Sequence, residues 1–509
     1  MAIDRRAFLS MAAVHGLALR TATGQRRKPV FASNPFALGV ASGDPSPSGF
    51  VLWTRLAVEP LAGGGLPPEE IDVRWEVAED DAFRRVVRSG WAVADPQLAH
   101  SIHVEIDGLD SDRWYWYRFA AGDHESPPGR TRTMPSAESS PDRLRFAFAS
   151  CQHFETGYYT AFEHLAREQA DLVFHLGDYI YEGRANPRIR AHRGGEVVRL
   201  EEYRDRYALY RTDRDLQAAH AAAPWVVTWD DHEFDNNYAA DVSEQPDVSR
   251  DRFLERRAAA YQAYYEHMPL RSAQMPKGPS MRLHRTVSFG RLAQFSVLDT
   301  RQYRTDQPCG DRTQPPCLGM VDPSAALLGK SQRDWLFDSL RSSPAAWNLL
   351  AQQVMMAHVD RTPGSEEAFN MDQWPGYVAS RDRLLNFLRE SRVRNPVVLT
   401  GDIHSNWVND LLADFSDPSS AVVATEFVGT SISSSGDGGP NSKYAAGVIS
   451  DNPFVKLHNA QRGYVFCELT PQTCTARYRV LDTVSERGAP RRTLAEFVVE
   501  NGRPGAQPA

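Results

Sequence analysis

Four apolar runs in this chain each end in side chains suited to metal ions, and that coincidence limits the possible folds more than any other feature. They are Phe146 to Ser150 followed by Cys151, Leu172 to Gly177 followed by Asp178 and Tyr181, Trp225 to Trp229 followed by Asp230, Asp231 and His232, and Val397 to Gly401 followed by Asp402 and His404. A short apolar run of this kind reads as a buried strand. In open α/β sheets, ligands collect outside the carboxyl ends of the strands. Four strand ends offering Cys, Asp, Tyr and His to one crevice describe a multinuclear metal site.

At 509 residues the chain exceeds the size at which one core stops growing, so two or more domains are expected. A net charge of −8 with no basic excess gives no reason to expect a nucleic-acid partner. No apolar run approaches the roughly 20 residues of a transmembrane helix. Asp4-Arg5-Arg6-Ala7-Phe8-Leu9 has the twin-arginine pattern, with a weakly apolar stretch to Leu19. Residues 1–30 therefore read as an address for the twin-arginine export machinery, and the protein is expected in the periplasm, the cell wall or the medium. Removing 1–30 takes away six basic residues and one acidic residue, moving the charge from −8 to −13.

The five cysteines fit an exported protein. Cys309 and Cys317 flank a Gly/Asp/Pro-rich loop that suits a short-range disulfide, and Cys467 and Cys474 bracket a turn across which a second is plausible. Cys151 is the odd one left, and it sits among the suspected ligands.

From Asn34 to Met134 the chain is β-like, with runs such as Gly49 to Thr54, Val73 to Val77, His103 to Ile106 and Trp114 to Phe119, which indicate a small sandwich over 34–135. Thr133 to Pro141 reads as a linker. Over 142–500 the rhythm becomes strand, helix, strand, with helices expected at Tyr158 to Glu168, Asp251 to Tyr265, Ser331 to Leu340 and Arg381 to Leu388. That alternation argues α/β. Strands return at Tyr464 to Leu469, Thr475 to Leu481 and Thr493 to Val499. The Ser/Gly-rich Ser431 to Pro440 is expected to be a loop at a mouth or a simple connection.

Each motif has its own chemistry. Gly177-Asp178-Tyr179-Ile180-Tyr181 places a carboxylate and a phenol three residues apart past a strand. A carboxylate bridges two cations, and a phenolate, whose parent phenol has a pKa of about 10, needs a strongly charged ion such as Fe(III) beside it. In Asp230-Asp231-His232-Glu233, adjacent acids cannot both enter one dry cavity without a cation. One is expected to ligate and the other to orient or cap. His232 is placed either to hydrogen-bond a substrate oxygen or to protonate a leaving group. Asp402 and His404, at i and i+2 of an extended segment, face the same way and can serve two neighbouring metals.

The set Ser150-Cys151-Gln152, Gly177-Asp178-Tyr179-Ile180-Tyr181-Glu182, Trp229-Asp230-Asp231-His232-Glu233 and Gly401-Asp402-Ile403-His404-Ser405 resembles the alkaline phosphatase D (PhoD-like) family of the metallophosphatase superfamily. So do Ala41 to Pro45 with Val51 to Arg55, Leu298 to Tyr303 and Gln352 to Met355, and the resemblance runs from about Asn34 to Val499. It implies a β-sandwich preceding a four-layer α/β/β/α catalytic domain, and a cluster of Fe(3+) with Ca(2+). By resemblance, Cys151, Asp178 and Tyr181 hold the iron, Asp178 bridges to calcium and Asp231 is a calcium ligand. Asp402 and His404 stand where related metallophosphatases have a Gly-His-x-His pair, and Asp402 in place of the first histidine suits a harder, oxygen-preferring ion. Asp231 likewise replaces the Asn of the superfamily's Asn-His-Asp/Glu motif. Gln353, or its neighbour Gln352, is a candidate amide-oxygen ligand.

The expected activity is hydrolysis of phosphomonoesters or phosphodiesters by water activated on the metals. His232 is the candidate acid or phosphate contact. Arg301 is either a bidentate phosphate clamp or a structural ion pair. Asp372 and Tyr377 fall in an expected active-site loop, as second-layer support or a lid, and Arg184 to Gly195 and Ala273 to Ser280 are candidates for shaping access. A phospholipase D-like phosphodiesterase acting on phospholipids is the alternative, and a noncatalytic surface-binding protein is a second one.

Overall fold

Three of the four apolar runs become parallel neighbours in one sheet. Strands Leu144–Ala149, Leu172–His175 and Trp225–Val227 pair in that order, with Ala149 beside His175 and His175 beside Val227. Nearly every residue in them is buried because both faces of the sheet are covered, which is why each reads as a continuous apolar run. This computed structural model describes residues 28–509, so the expected export signal lies almost wholly outside the described residues. The fourth run is strand Pro396–Thr400 of a second sheet, between Trp347–Ala351 and Val422–Val428.

The first sheet has ten strands and the second seven. They pack face to face over a core that includes Phe146, Phe174, Val226, Phe295, Leu349, Leu399 and Val465. The Phe295 ring lies 4.5 Å from Phe174 and 5.2 Å from Phe146, within the range of favourable aromatic pairs. The outer face of the first sheet packs against helices Thr160–Leu165, Leu200–Arg211, Arg214–Ala222 and Arg250–His267. That of the second packs against Gly329–Ser342, Val378–Glu390 and Ser442–Asp451. These are the four α/β/β/α layers that the family resemblance implies. The two helices between 200 and 222 had no counterpart in the sequence reading; Leu200–Arg211 carries Arg and Tyr on its buried side, so its apolar periodicity is weak.

The N-terminal strands form a sandwich, as expected. Strands Val86–Ala94, Ile71–Ala78, Trp114–Ala121 and Gly129–Arg132 close over Val40–Ser46, Gly49–Arg55 and Ser101–Ile106 around Phe50, Leu52, Val73, Val77, Val104, Tyr117 and Phe119. Its inner strands continue the ten-stranded sheet, because Val40–Ser46 pairs in parallel with Trp225–Val227 at Gly43. A Cβ on Gly43 would lie 2.4 Å from Pro269 O and 2.7 Å from Trp225 O, so only glycine permits the join.

Cys309 and Cys317 are disulfide-bonded. A Cys467–Cys474 bond, plausible from the sequence, is not formed, and both thiols are buried and free. The register explains it: Cys467 stands opposite Ala476 and Cys474 opposite Leu469, so the two are offset by two residues along the hairpin. Both side chains serve as apolar filling between the sheets.

Candidate metal centre

Parallel pairing brings the ends of the first three strands to one edge, and the second sheet delivers the fourth against it. Cys151 N donates to Gly177 O at 3.1 Å and Gln152 N to Asp178 O at 3.1 Å, while Gly401 N donates to Gln353 O at 2.8 Å. Cys151, Asp178, Asp402 and His404 all have left-handed backbones, with φ between 54° and 64°. Side chains rarely tolerate that region, and here it turns each chain sharply at the strand end. Gly177, at φ +111°, passes so close to the Asp230 turn that a Cβ would meet Asp230 Cβ at 2.4 Å.

The donors form three overlapping groups, each with one ligand atom per residue lying within 4.8 Å of the others: Cys151, Asp178 and His404; Asp178, Asp231 and His232; Asp230, Asp231 and Asp402. Asp178 belongs to the first two and Asp231 to the last two, so Asp178 sits where a bridging carboxylate would. The Tyr181 hydroxyl donates to Asp178 Oδ2 at 2.7 Å and lies 3.2 Å from His404 Nε2. Asp178 Oδ1, Asp230 Oδ2 and Asp231 Oδ1 are buried and accept no hydrogen bond.

The electrostatics ask for cations. Burial, then the neighbouring carboxylates Asp231 and Glu233, push Asp178 well above the usual carboxylate range, although His232 opposes them. Burial raises Asp230 likewise, and lifts Asp402 to about 6. The Cys151 thiol and Tyr181 phenol are driven up by burial and by Asp178. His404 is held neutral, pushed down to about 3 by burial and then Arg462. Its Nδ1 meets Ser435 Oγ at 2.9 Å, leaving Nε2 toward the cluster. A thiol, a phenol, several carboxylates and a neutral imidazole fit multivalent cations, since the protons they hold are those a metal displaces.

His232 sits at the rim. Its Nδ1 meets Glu182 Oε2 at 2.8 Å, and Glu182 Oε1 accepts from Asn236 N at 3.1 Å. Burial works against a charged ring, but Glu182, Asp231 and Asp178 together hold the imidazolium well above its ordinary pKa. Glu182 lies in the Gly177 to Glu182 motif, but nothing in the sequence marks a contact spanning 50 positions. Other residues missed are Gln373, which donates to Asp402 Oδ2 at 2.5 Å, and Ser434, which donates to Tyr181 Oη at 2.8 Å. The Ser431 to Pro440 loop therefore does line the mouth. Glu155 pins the Arg184 to Gly195 loop nearby by accepting from the backbone N–H groups of Asn186 and His192.

Two expected roles are corrected. Arg301 is wholly buried, and its fork is divided among carboxylates: Nε to Asp230 Oδ1 at 2.5 Å, and Nη1 to Asp372 at 2.8 and 3.0 Å. Nη2 lies 3.4 Å from Asp231 and 3.9 Å from Asp402. It is the structural ion pair and not a phosphate clamp, a fixed positive charge behind the acids. Gln353 is not a ligand either. Its oxygen accepts from Thr300 N at 3.1 Å and Oγ1 at 2.7 Å, and its nitrogen donates to Thr228 Oγ1 and Leu298 O, so the amide is fully used in joining strands. Gln352 is likewise spent on Thr400 and Trp374. Asp372 supports Arg301 and Arg304, and Tyr377 is a buried anchor donating to Thr305 O, not a lid.

A profile of the PhoD-like phosphatase family matches residues 146–478, and one of its N-terminal domain matches 21–135. Alkaline phosphatase D of Bacillus subtilis (strain 168) is 48% identical over 516 residues, spanning 99% of this chain and 88% of that protein. The chain belongs to the PhoD-like phosphatase family. A solved structure of PhoD superposes with a TM-score of 0.92 at 49% identity, covering 94% of this chain and 93% of the other. As a PhoD-like protein the chain is an enzyme, a metal-dependent hydrolase of phosphate ester bonds, and the noncatalytic alternative falls away. Among the described residues no helix is long and apolar enough to cross a membrane.

Proposed function

We propose that this is an exported phosphoesterase that hydrolyses phosphomonoesters and phosphodiesters at a cluster of Fe(III) and Ca²⁺. The observation that carries the reading is the set of overlapping donor groups sharing Asp178. Cys151, Asp178, Tyr181 and His404 would hold the iron, the phenol and thiol being anionic donors for a trivalent ion. Asp178 with Asp231 and Asp402 would hold calcium, which prefers oxygen. When bound, such ions activate water and screen the phosphate oxygens, as a net charge of −8 otherwise repels an anionic ester.

The chain's own residues do the rest. Glu182 anchors Nδ1 of His232 and leaves Nε2 free of it. Glu182, Asp231 and Asp178 keep a proton on that ring, so Nε2 is poised to contact a phosphate oxygen or to protonate the departing alkoxide. Arg301 binds Asp230 Oδ1 and balances the acids. Glu233, accepting from the backbone N–H groups of Asp178, Tyr179 and Asp230, fixes both turns.

One observation favours the phospholipid reading as second choice. The segments flanking the disulfide reach the site through Gln307, which donates to Asp372 at 2.7 Å, and carry Leu318 at 90% exposure and Val321 at 57%. Metal content of the purified chain, measured with rates on a chromogenic monoester, a diester and a phosphatidylcholine vesicle, separates these readings. Iron and calcium with rates on the soluble esters support the first. A rate confined to vesicles moves the assignment to the second, and zinc in place of both ions overturns the cluster.

A further inference from the structure

Behind the Asp178 turn, the structure holds a positive charge that its surroundings do not balance. Arg211 ends helix Leu200–Arg211 and is fully buried where that helix meets the N-terminal sandwich. Its guanidinium lies over the Trp53 ring, 4.0 Å from the centroid, and Nη1 donates to Tyr179 Oη at 3.3 Å. Nε and Nη2 have no acceptor, and no carboxylate among the described residues pairs with it. Arginine does not give up its proton, and an unpaired buried charge is costly. The contact with Trp53 offsets only part of that cost.

The neighbours deepen the imbalance. Tyr179 Oη accepts from Arg211, so its own proton goes to His220 Nε2 at 2.9 Å. That leaves the His220 proton on Nδ1, which also lacks an acceptor. Ser42 Oγ and Tyr117 Oη, buried on strands Val40–Ser46 and Trp114–Ala121, lie beside each other with no further partner among the described residues, and Tyr117 feels the Arg211 charge. Arg55, the second buried arginine of this seam, donates to the neutral acceptors Ala99 O and His267 Nε2 at 2.9 and 2.8 Å. Glu266, the carboxylate acting most strongly on Arg55, is already forked by Arg204 at 2.5 and 2.7 Å. Donors exceed acceptors, and cations exceed anions.

We propose that this seam binds a small monovalent inorganic anion of halide size, held by Arg211 Nε and Nη2 with the Ser42 and Tyr117 hydroxyls donating to it. A water would satisfy N–H groups but leave the charge; an anion does both. The bound ion ties the sandwich to the helix and, through Tyr179, to the turn that carries Asp178.

The test uses the full chain, loaded with its metals, at constant ionic strength. Replacing sodium gluconate by sodium chloride or bromide raises Tm along a saturating curve, by on the order of 2 °C, and Arg211→Met abolishes the response. Crystals of the unaltered chain soaked in bromide show an anomalous peak at Arg211. Equal melting in gluconate and halide, or a halide response that survives Arg211→Met, overturns the proposal. If Arg211→Met does not fold, the bromide map decides alone, and no peak at Arg211 overturns it.

Discussion

Cys151, Asp178, Asp402 and His404 each occupy a backbone region that costs a residue with a side chain about 1–3 kcal/mol, and the acids among them are buried beside one another. The site is therefore a place where the metal-free fold is stressed. Asp402 shows the sign of the effect. Burial lifts its pKa in the fold to about 6, above the 3.8 of a free side chain. The folded state thus binds the extra proton between those values, and stability falls as pH rises through that window. We expect Asp402→Asn to stabilise the metal-free chain at pH 8 by on the order of 2 kcal/mol, with no gain near pH 3.5, in denaturant melts with chelator. A destabilised Asn variant at pH 8 would contradict this. Glu182→Gln is expected to lower kcat by about 10–100-fold with KM little changed, since the His232 ring stays but loses its anchor and its charge. Steady-state rates on a chromogenic ester check it. The residues gathered at the strand ends were legible because they follow apolar runs directly. Arg301 and Gln353 were not, because their roles depend on which partners lie across the fold: both are wholly enclosed by groups from other strands.

Strands and turns place these residues, and here glycine is decisive. Gly177→Ala would force a side chain into φ +111° and against Asp230, so a loss of 3 kcal/mol or more is expected, together with loss of bound metal; metal analysis and thermal melts report both. The hairpin with Cys467 and Cys474 gives another expectation. Unfolding without reductant should expose three alkylatable thiols, Cys151, Cys467 and Cys474, and leave the Cys309–Cys317 bond intact. A single reactive thiol in the mass spectrum would instead mean that the second pair is bonded. The sequence shows that two cysteines flank a turn but not their register, and an offset of two residues separates bonding from packing. Most strands were legible for a related reason: they alternate, or are apolar throughout, according to whether one face or both are covered. The helix Leu200–Arg211 was not, because its buried side is built from Tyr and Arg, which form hydrogen bonds and aromatic contacts instead of an apolar stripe.

Across the whole molecule, two sheets deliver the two halves of the centre, so the site exists only when both are packed. Several histidines share this buried setting. Burial pushes His175 and His358 down to about 3 and His103 to about 4, from 6.5 in the open chain. Between those values the unfolded chain binds more protons, so the stability they contribute is complete above pH 6.5 and is lost as pH falls toward 3. The metal-loaded chain should accordingly show a falling denaturation midpoint from about pH 6 downward; a flat profile to pH 4 would contradict it. The order of strands and helices showed an α/β domain and the family resemblance implied its four layers, whereas the continuity of the sandwich with the catalytic sheet rests on one pairing at Gly43. We propose that Tyr181 and Cys151 meet a trivalent iron beside calcium. It is tested most directly by the visible absorption spectrum of the purified chain and of Tyr181→Phe, both reconstituted with iron and calcium. A coloured protein with a tyrosinate-to-iron charge-transfer band that Tyr181→Phe lacks is the expected result. A colourless protein, or a band unchanged in Tyr181→Phe, would contradict it.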